Sequence, residues 1–181
     1  MKDLLQPVLD SARLKGADYA DIRIVHRHLE EIEVKNGRIE ALTHDEDFGF
    51  GIRVLLRGAW GFACSSRVNK AEMESVLGKA LRIARSSATV KSKGGSCPPP
   101  SPVIGQYRTP RTLDPIQVAP ETKIGLLLEA EGVLRKNRKV KISEAFMGSY
   151  KTEKTFASTE GSHIEQEIVE CGAGITATAI E

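Results

Sequence analysis

The dipeptide Asn36-Gly37 constrains this chain more than any other short feature. Both residues tolerate the positive φ of a type I′ turn, and alternating apolar residues flank them, so the chain must double back as a hairpin. Ile22, Ile24, Ile32 and Val34 alternate with polar residues before the turn, and Ile39 and Leu42 follow it. The polar run Thr43-His44-Asp45-Glu46-Asp47 reads as a turn that ends the return strand. Phe50, Ile52, Val54 and Leu55 then form an apolar strand, Arg57-Gly58 a second tight turn, and Ala59 to Ala63 the strand that comes back. Glycines inside such strands mark bulges or places where another backbone lies close.

Helical periodicity appears on both sides of this meander. Leu4, Leu5, Val8, Leu9 and Ala12 recur at helical spacing, with Pro7 near the first turns and Gly16 as a stop. Asn69 with Glu72 three residues on resembles a capping box. Met73, Val76, Leu77, Ala80, Leu81 and Ala84 then make an apolar stripe. From Ser86 to Ala119 the composition changes, and Gly94 to Pro102 reads as an extended, mobile crossing. Order returns with a helix from Pro120-Glu121, whose apolar face is Ile124, Leu127, Leu128 and Leu134. Val140, Ile142, Phe146 and Phe156 indicate further strands, Glu160-Gly161 a turn, and Ile164, Ile168 and Val169 a return. The expected fold class is α+β: a mixed or antiparallel sheet of meanders with about three amphipathic helices packed on it.

The segments Ile32 to Ile52 (IEVKNGRIEALTHDEDFGFGI) and Phe156 to Ile175 (FASTEGSHIEQEIVECGAGI) echo one another. Each has a strand, a glycine turn, an Ile-Glu pair and a G-x-G-Ile. Two explanations stand: internal duplication, or chance likeness between two hairpins. The organisation read from this is a first helix-meander-helix half at 1–88, a Pro/Gly-rich crossing at 89–119 and a second half at 120–181. The second copy lacks the extra hairpin of the first, and Ile175 to Ile180 alternates like an unfinished strand. The expectation is an N-terminal domain of a longer protein.

Composition narrows the function classes. The net charge of +2 over 181 residues does not point to nucleic acid or a membrane surface. The basic run Arg135 to Lys141 could touch phosphates, but it also suits the solvated end of a helix, where cations complement the dipole. Cys64, Cys97 and Cys171 are widely spaced with no C-x-x-C pair, which argues against a disulfide framework and a cysteine zinc site and suits a reducing cytosol. No run of 18 apolar residues offers a membrane span.

Chemistry-bearing residues are present without a constellation. His26 and His28 fall on one strand face at a spacing compatible with metal binding, but the sequence suggests no third ligand near them. His44 and His163 stand apart, and no HExxH or HExxxH motif occurs. The Asp45-Glu46-Asp47 cluster lacks the spaced oxygens and glycine of a calcium loop. Asp47-Phe48-Gly49 matches the kinase metal triplet but has no catalytic loop before it, and Gly49-Phe50-Gly51 runs into a strand rather than a helix. Ser65-Ser66 lacks a G-x-S-x-G setting, and Cys64 has no evident base. No catalytic, cofactor-binding or metal-ligating residue is assigned.

The stretch from Ala17 to Ser66 closely resembles the start of the TldD/PmbA family, in particular its TldD branch. Ala17 to Arg23 corresponds to the family's A-x-Y-A-D-x-R strand, Asn36 to Glu40 to its N-G-x-x-E hairpin, and Gly49 to Ser66 to its G-x-G-x-R-V-x-x-x-G-x-W-G-F-A-S-S block. Phe156 to Gln166 resembles its later F-x-S-S-E-G-x-x-I-x-Q turn. The resemblance implies a cytosolic zinc metallopeptidase that degrades peptides or unfolded chains inside a dimeric shell, with itself or with a PmbA-type subunit. It places the zinc ligands on an HExxxH helix and a later cysteine, neither matched in this chain, so no cofactor is carried over. The expectation is an N-terminal domain that shapes the substrate chamber and dimer contacts without cleaving. The alternative is a non-enzymatic module acting on DNA gyrase, to which the family's other name points and which the sequence itself supports little.

Overall fold

The computed structural model describes residues 2–90 and 101–180, so most of the expected Gly94 to Pro102 crossing lies outside the described residues. The elements are α1 (Lys2–Leu14), β1 (Tyr19–Lys35), β2 (Arg38–Leu56), β3 (Ala59–Ser65), α2 (Lys70–Val90), β4 (Ile104–Arg108), a single 3-10 turn at Pro115–Gln117, α3 (Pro120–Leu134), β5 (Val140–Ser158) and β6 (His163–Ala179). The strands hydrogen-bond in the order β3-β2-β1-β5-β6-β4. β1 and β5 run antiparallel: the Thr159 N–H donates to the Ala20 carbonyl near one end and the Asn36 N–H to the Ser143 carbonyl at the other. β4 lies parallel to β6, with the His163 N–H on the Val103 carbonyl and the Thr109 N–H on the Glu167 carbonyl. The sheet is therefore mixed, and the α+β expectation holds.

Both predicted tight turns form as turn chemistry requires. Asn36 and Gly37 take φ of 47° and 77°, and Arg57 and Gly58 take 51° and 74°. Positive φ at both central residues matches the right-handed twist of the flanking strands. One expectation fails. Thr43 to Asp47 is not a turn, because β2 runs unbroken for 19 residues. Residues 44–48 are exposed, so their polar side chains stay in water while the backbone bonds to its neighbour. The short strand β4, within the segment of altered composition, has no counterpart in the sequence reading.

Two compact units interleave along the chain. The first comprises the described parts of residues 1–26, 48–107 and 153–166. Its core joins Leu5, Val8 and Leu9 of α1, Ile22 and Ile24 of β1, Ile52 and Val54 of β2, and the whole predicted stripe of α2. That stripe starts at a real cap: Asn69 Oδ1 accepts the Glu72 N–H at 2.9 Å. The reciprocal half of a capping box does not form, since the Glu72 carboxylate takes Arg67 instead.

The second unit comprises the described parts of residues 27–47, 108–152 and 167–181. Its smaller core sets Ile32, Val34 and Ala145 against Leu127, with Ile124, Leu128 and Met147 packed on it. α3 also buries Lys123 and Glu131, which the apolar pattern does not announce. Each has a partner, as buried charge requires. Lys123 bonds to Glu30 of β1. Glu131 accepts the Gly37 N–H at 3.1 Å, pairs with Arg135 at 2.9 Å and bonds the Ser143 hydroxyl, so one buried carboxylate pins the Asn36-Gly37 turn to the helix.

Gly61 of β3 shows what a strand glycine does in this fold. A Cβ there would lie 2.1 Å from the Ala80 carbonyl oxygen and 2.6 Å from the Ala84 nitrogen, both backbone atoms of α2. Helix and strand thus touch backbone to backbone, the close approach that glycine permits. Gly61→Ala is expected to lower stability by about 1–3 kcal/mol, the range for overpacking a tight contact. Urea unfolding should show a lower midpoint at unchanged slope, whereas Gly78→Ala, a helix position whose Cβ would meet nothing within 4 Å, should not lower it.

Candidate functional site

In the first unit, β1 turns Ala20, Ile22 and Ile24 into the core, so the pleat sends Tyr19, Asp21 and Arg23 to the opposite side. Asp21 is 1% exposed. Arg53 of β2 donates to its Oδ2 from Nε at 2.9 Å and from Nη2 at 2.7 Å. Asp21 Oδ1 accepts no hydrogen bond, and Arg23 Nη1 stands 3.4 Å from it as an ion-pair contact. The Arg53 guanidinium lies 4.6 Å from the Trp60 ring centre, and Tyr19 meets the same indole edge-on at 5.9 Å. Arg23 stacks on Phe156 at 5.3 Å. Burial first, then the Asp21 carboxylate, pushes the Tyr19 hydroxyl up to about 12. This arrangement stores a buried charge between stacked cations. It presents no nucleophile next to a base.

The histidines singled out in the sequence go to different places. His44 Nδ1 is 3.8 Å from Glu30, the carboxylate already held by Lys123. His163 lies 3.4 Å from Glu165. His26 and His28 of β1 are joined by Glu46 of β2, with one ligand atom from each within 4.8 Å of the others. The sequence reading had no third ligand near these histidines, because Glu46 falls in the run taken for a turn. His26 Nδ1 also sits 3.5 Å from Glu153, and its ring meets Phe48 edge-on at 5.1 Å. Asp45 and Asp47 are exposed. Ser65 Oγ accepts the Arg67 N–H at 3.2 Å, and Cys64 and Cys171 are free thiols. Arg135 answers to Glu131, as the end of a helix would.

The residues that sequence reasoning missed are charges in apolar settings: Asp21, Arg53, Lys123 and Glu131. A signal existed for Asp21, a carboxylate set inside an apolar alternation. In α3 the helical spacing of Lys123, Leu127 and Glu131 places all three on one face.

The family model described as PmbA/TldA metallopeptidase domain 1 matches residues 20–84, and the one for the central domain matches residues 113–181. This chain belongs to the PmbA/TldD family. A metalloprotease of Methanocaldococcus jannaschii is 29% identical over 158 residues, covering 87% of this chain and 35% of the relative. Among solved structures, a protein named as a modulator of DNA gyrase, from Bacteroides thetaiotaomicron, superposes with a TM-score of 0.75 at 15% identity, over 99% of this chain and 41% of its own. TldE from Thermococcus kodakarensis gives 0.72 at 13% identity, over 98% and 43%. These likenesses establish a shared fold. The chain spans about a third of the length of the metalloprotease it matches and about two fifths of these structures.

A metallopeptidase family implies a metal. His26, His28 and Glu46 are donor types that hold divalent transition metals. They sit on strands, whereas the pattern implied by the family resemblance is a helical HExxxH with a later cysteine. The two sets do not match, so no step of peptide cleavage is derived through this cluster. Among the described residues, no helix is long and apolar enough to cross a membrane.

Two outcomes are expected for the Asp21 cluster. Arg53→Met should destabilise by about 3–5 kcal/mol, because it strips the main partner from a buried carboxylate, and adding Asp21→Asn should recover much of the loss. Denaturant unfolding of the double-mutant cycle measures both. In alkaline titration, folding keeps the proton on Tyr19 between pH 10 and about 12. The group therefore contributes stability fully present below pH 10 and lost as pH rises through 12. Ultraviolet absorbance should show one tyrosinate appearing near pH 12 that Tyr19→Phe removes.

Proposed function

We propose that this chain is the N-terminal, non-catalytic part of a zinc metallopeptidase that degrades peptides or unfolded chains. Its role is to shape the substrate chamber and supply dimer contacts, with a second copy or a PmbA-type subunit. One observation carries the reading: first-domain and central-domain matches together span most of a sequence that holds no HExxH or HExxxH motif. Activating water at neutral pH needs a fixed cation and a base close to it, which in an HExxH or HExxxH helix the motif itself supplies. The metalloprotease relative supports the peptidase assignment, and free cysteines at 64 and 171 suit a reducing cytosol.

A zinc titration coupled to cleavage of a fluorogenic peptide library tests the reading. The chain alone is expected to show no metal-dependent turnover, and robust zinc-dependent cleavage would overturn the non-catalytic role. The alternative, an interaction module acting on gyrase or its DNA, draws support from the names of structural neighbours such as the Bacteroides protein. Binding to DNA that weakens steeply with salt would favour it, since phosphate contacts release counterions.

A further inference from the structure

In the second unit, the side of the sheet turned away from the Ile32–Leu127 core carries a slot with an unusual floor. Ser149 Oγ lies 3.6 Å from Cys171 Sγ, and a Cβ on Gly174 would meet the Phe146 ring at 2.5 Å. Both contacts fit one antiparallel register, which sets Gly148 opposite Gly172 and Tyr150 opposite Glu170. On the β1 side, the Asn36–Ser143 backbone bond and the Lys35–Glu144 ion pair set Glu31 opposite Gly148 and Glu33 opposite Phe146. A row of Glu31, Gly148 and Gly172 thus crosses three strands. The Tyr150 ring covers Gly148, where a Cβ would meet it at 2.9 Å, and Gly172 is left open, with nothing within 4 Å of its Cβ position. Phe146 stands on one side and Tyr150 on the other, enclosing a cavity of about 380 Å³.

The walls are set and the charge has one sign. The Tyr150 hydroxyl donates to Glu31 at 2.7 Å, which fixes its ring. The hydrogen bond to Glu31 first, then burial, then the charges of Glu31 and Glu170 hold that hydroxyl above its ordinary range. Glu31, Glu33 and Glu170 therefore gather around the slot, and among the described residues none of them forms an ion pair. Aromatic faces and carboxylates together favour a cation, and the open floor at Gly172 admits the approach of another backbone. β4 accompanies β6 only as far as Val169, whose N–H donates to Thr109 Oγ1 at 3.1 Å. Beyond it, the outer edge of β6 has no neighbour among the described residues and can accept an extended segment.

We propose that this slot binds a lysine or arginine side chain of an extended basic peptide lying along β6. The proposal deepens the peptide-handling reading and rests on it for the choice of a polypeptide as occupant. Binding by this chain is measured without cleavage, so the two can fail separately. Fluorescence anisotropy of a labelled (Ser-Lys)5 peptide is the probe, against the same peptide with norleucine or glutamate in place of lysine. The lysine peptide should bind, weaken as salt rises, and exceed both controls by at least about tenfold, a difference of about 1.4 kcal/mol. Gly172→Val should weaken binding by a similar factor with unchanged Tm, since a Cβ at Gly172 meets nothing within 4 Å in the folded chain. If valine shifts the Tm, Glu31→Gln, which keeps an acceptor for Tyr150, must show the loss instead. Equal binding of the norleucine peptide, undiminished affinity in the well-folded variant, no binding at low salt, or spermidine binding as tightly as the peptide would each overturn it.

Discussion

The pleat of β1 sets the terms for everything packed on it. Ala20, Ile22, Ile24, Ile32 and Val34 are buried, and every one of them is an even-numbered position. Tyr19, Asp21, Arg23, Glu31 and Glu33 take the alternate positions, where polar and aromatic groups collect. A slip of one residue would exchange these two sets. Two devices hold the register. The Asn36-Gly37 turn fixes β1 against β2, and cross-strand pairs such as Arg23 with Phe156 and Lys35 with Glu144 fix it against β5.

Buried charge is handled differently in the two units. Asp21 lies among cations that are themselves stacked on Trp60 and Phe156, so the ion pair is also an aromatic packing unit. Glu131 instead collects a backbone N–H, a serine hydroxyl and an arginine, and works as a peg between a helix and a hairpin turn. Neither arrangement resembles a site for moving protons to a substrate. Both tie neighbouring elements of their own unit together through a buried carboxylate.

Much of the fold was legible in the sequence, for local reasons. The α2 stripe, both positive-φ turns, the helix start at Asn69 and the strand character of Val140 to Phe156 follow from periodicity and turn chemistry. The Thr43 to Asp47 run was misread because a solvated strand and a polar turn have the same composition. Only backbone pairing separates them, and that belongs to the partner strand. The same misreading hid Glu46 as a companion of His26 and His28. The glycine-floored slot was equally invisible, since Gly148 and Gly172 become neighbours only through the β5–β6 register.

By itself, the sequence determined the element types, the tight turns and, through one long block from Ala17 to Ser66, the family resemblance. These depend on residues near one another along the chain. Tertiary structure alone decided that Gly61 is a helix-to-strand contact, that Asp21 is sealed under Arg53, and that Glu31, Phe146 and Tyr150 enclose one cavity. Those facts rest on groups brought together from separate strands and helices, and their distances are set by packing and register, which no local pattern encodes.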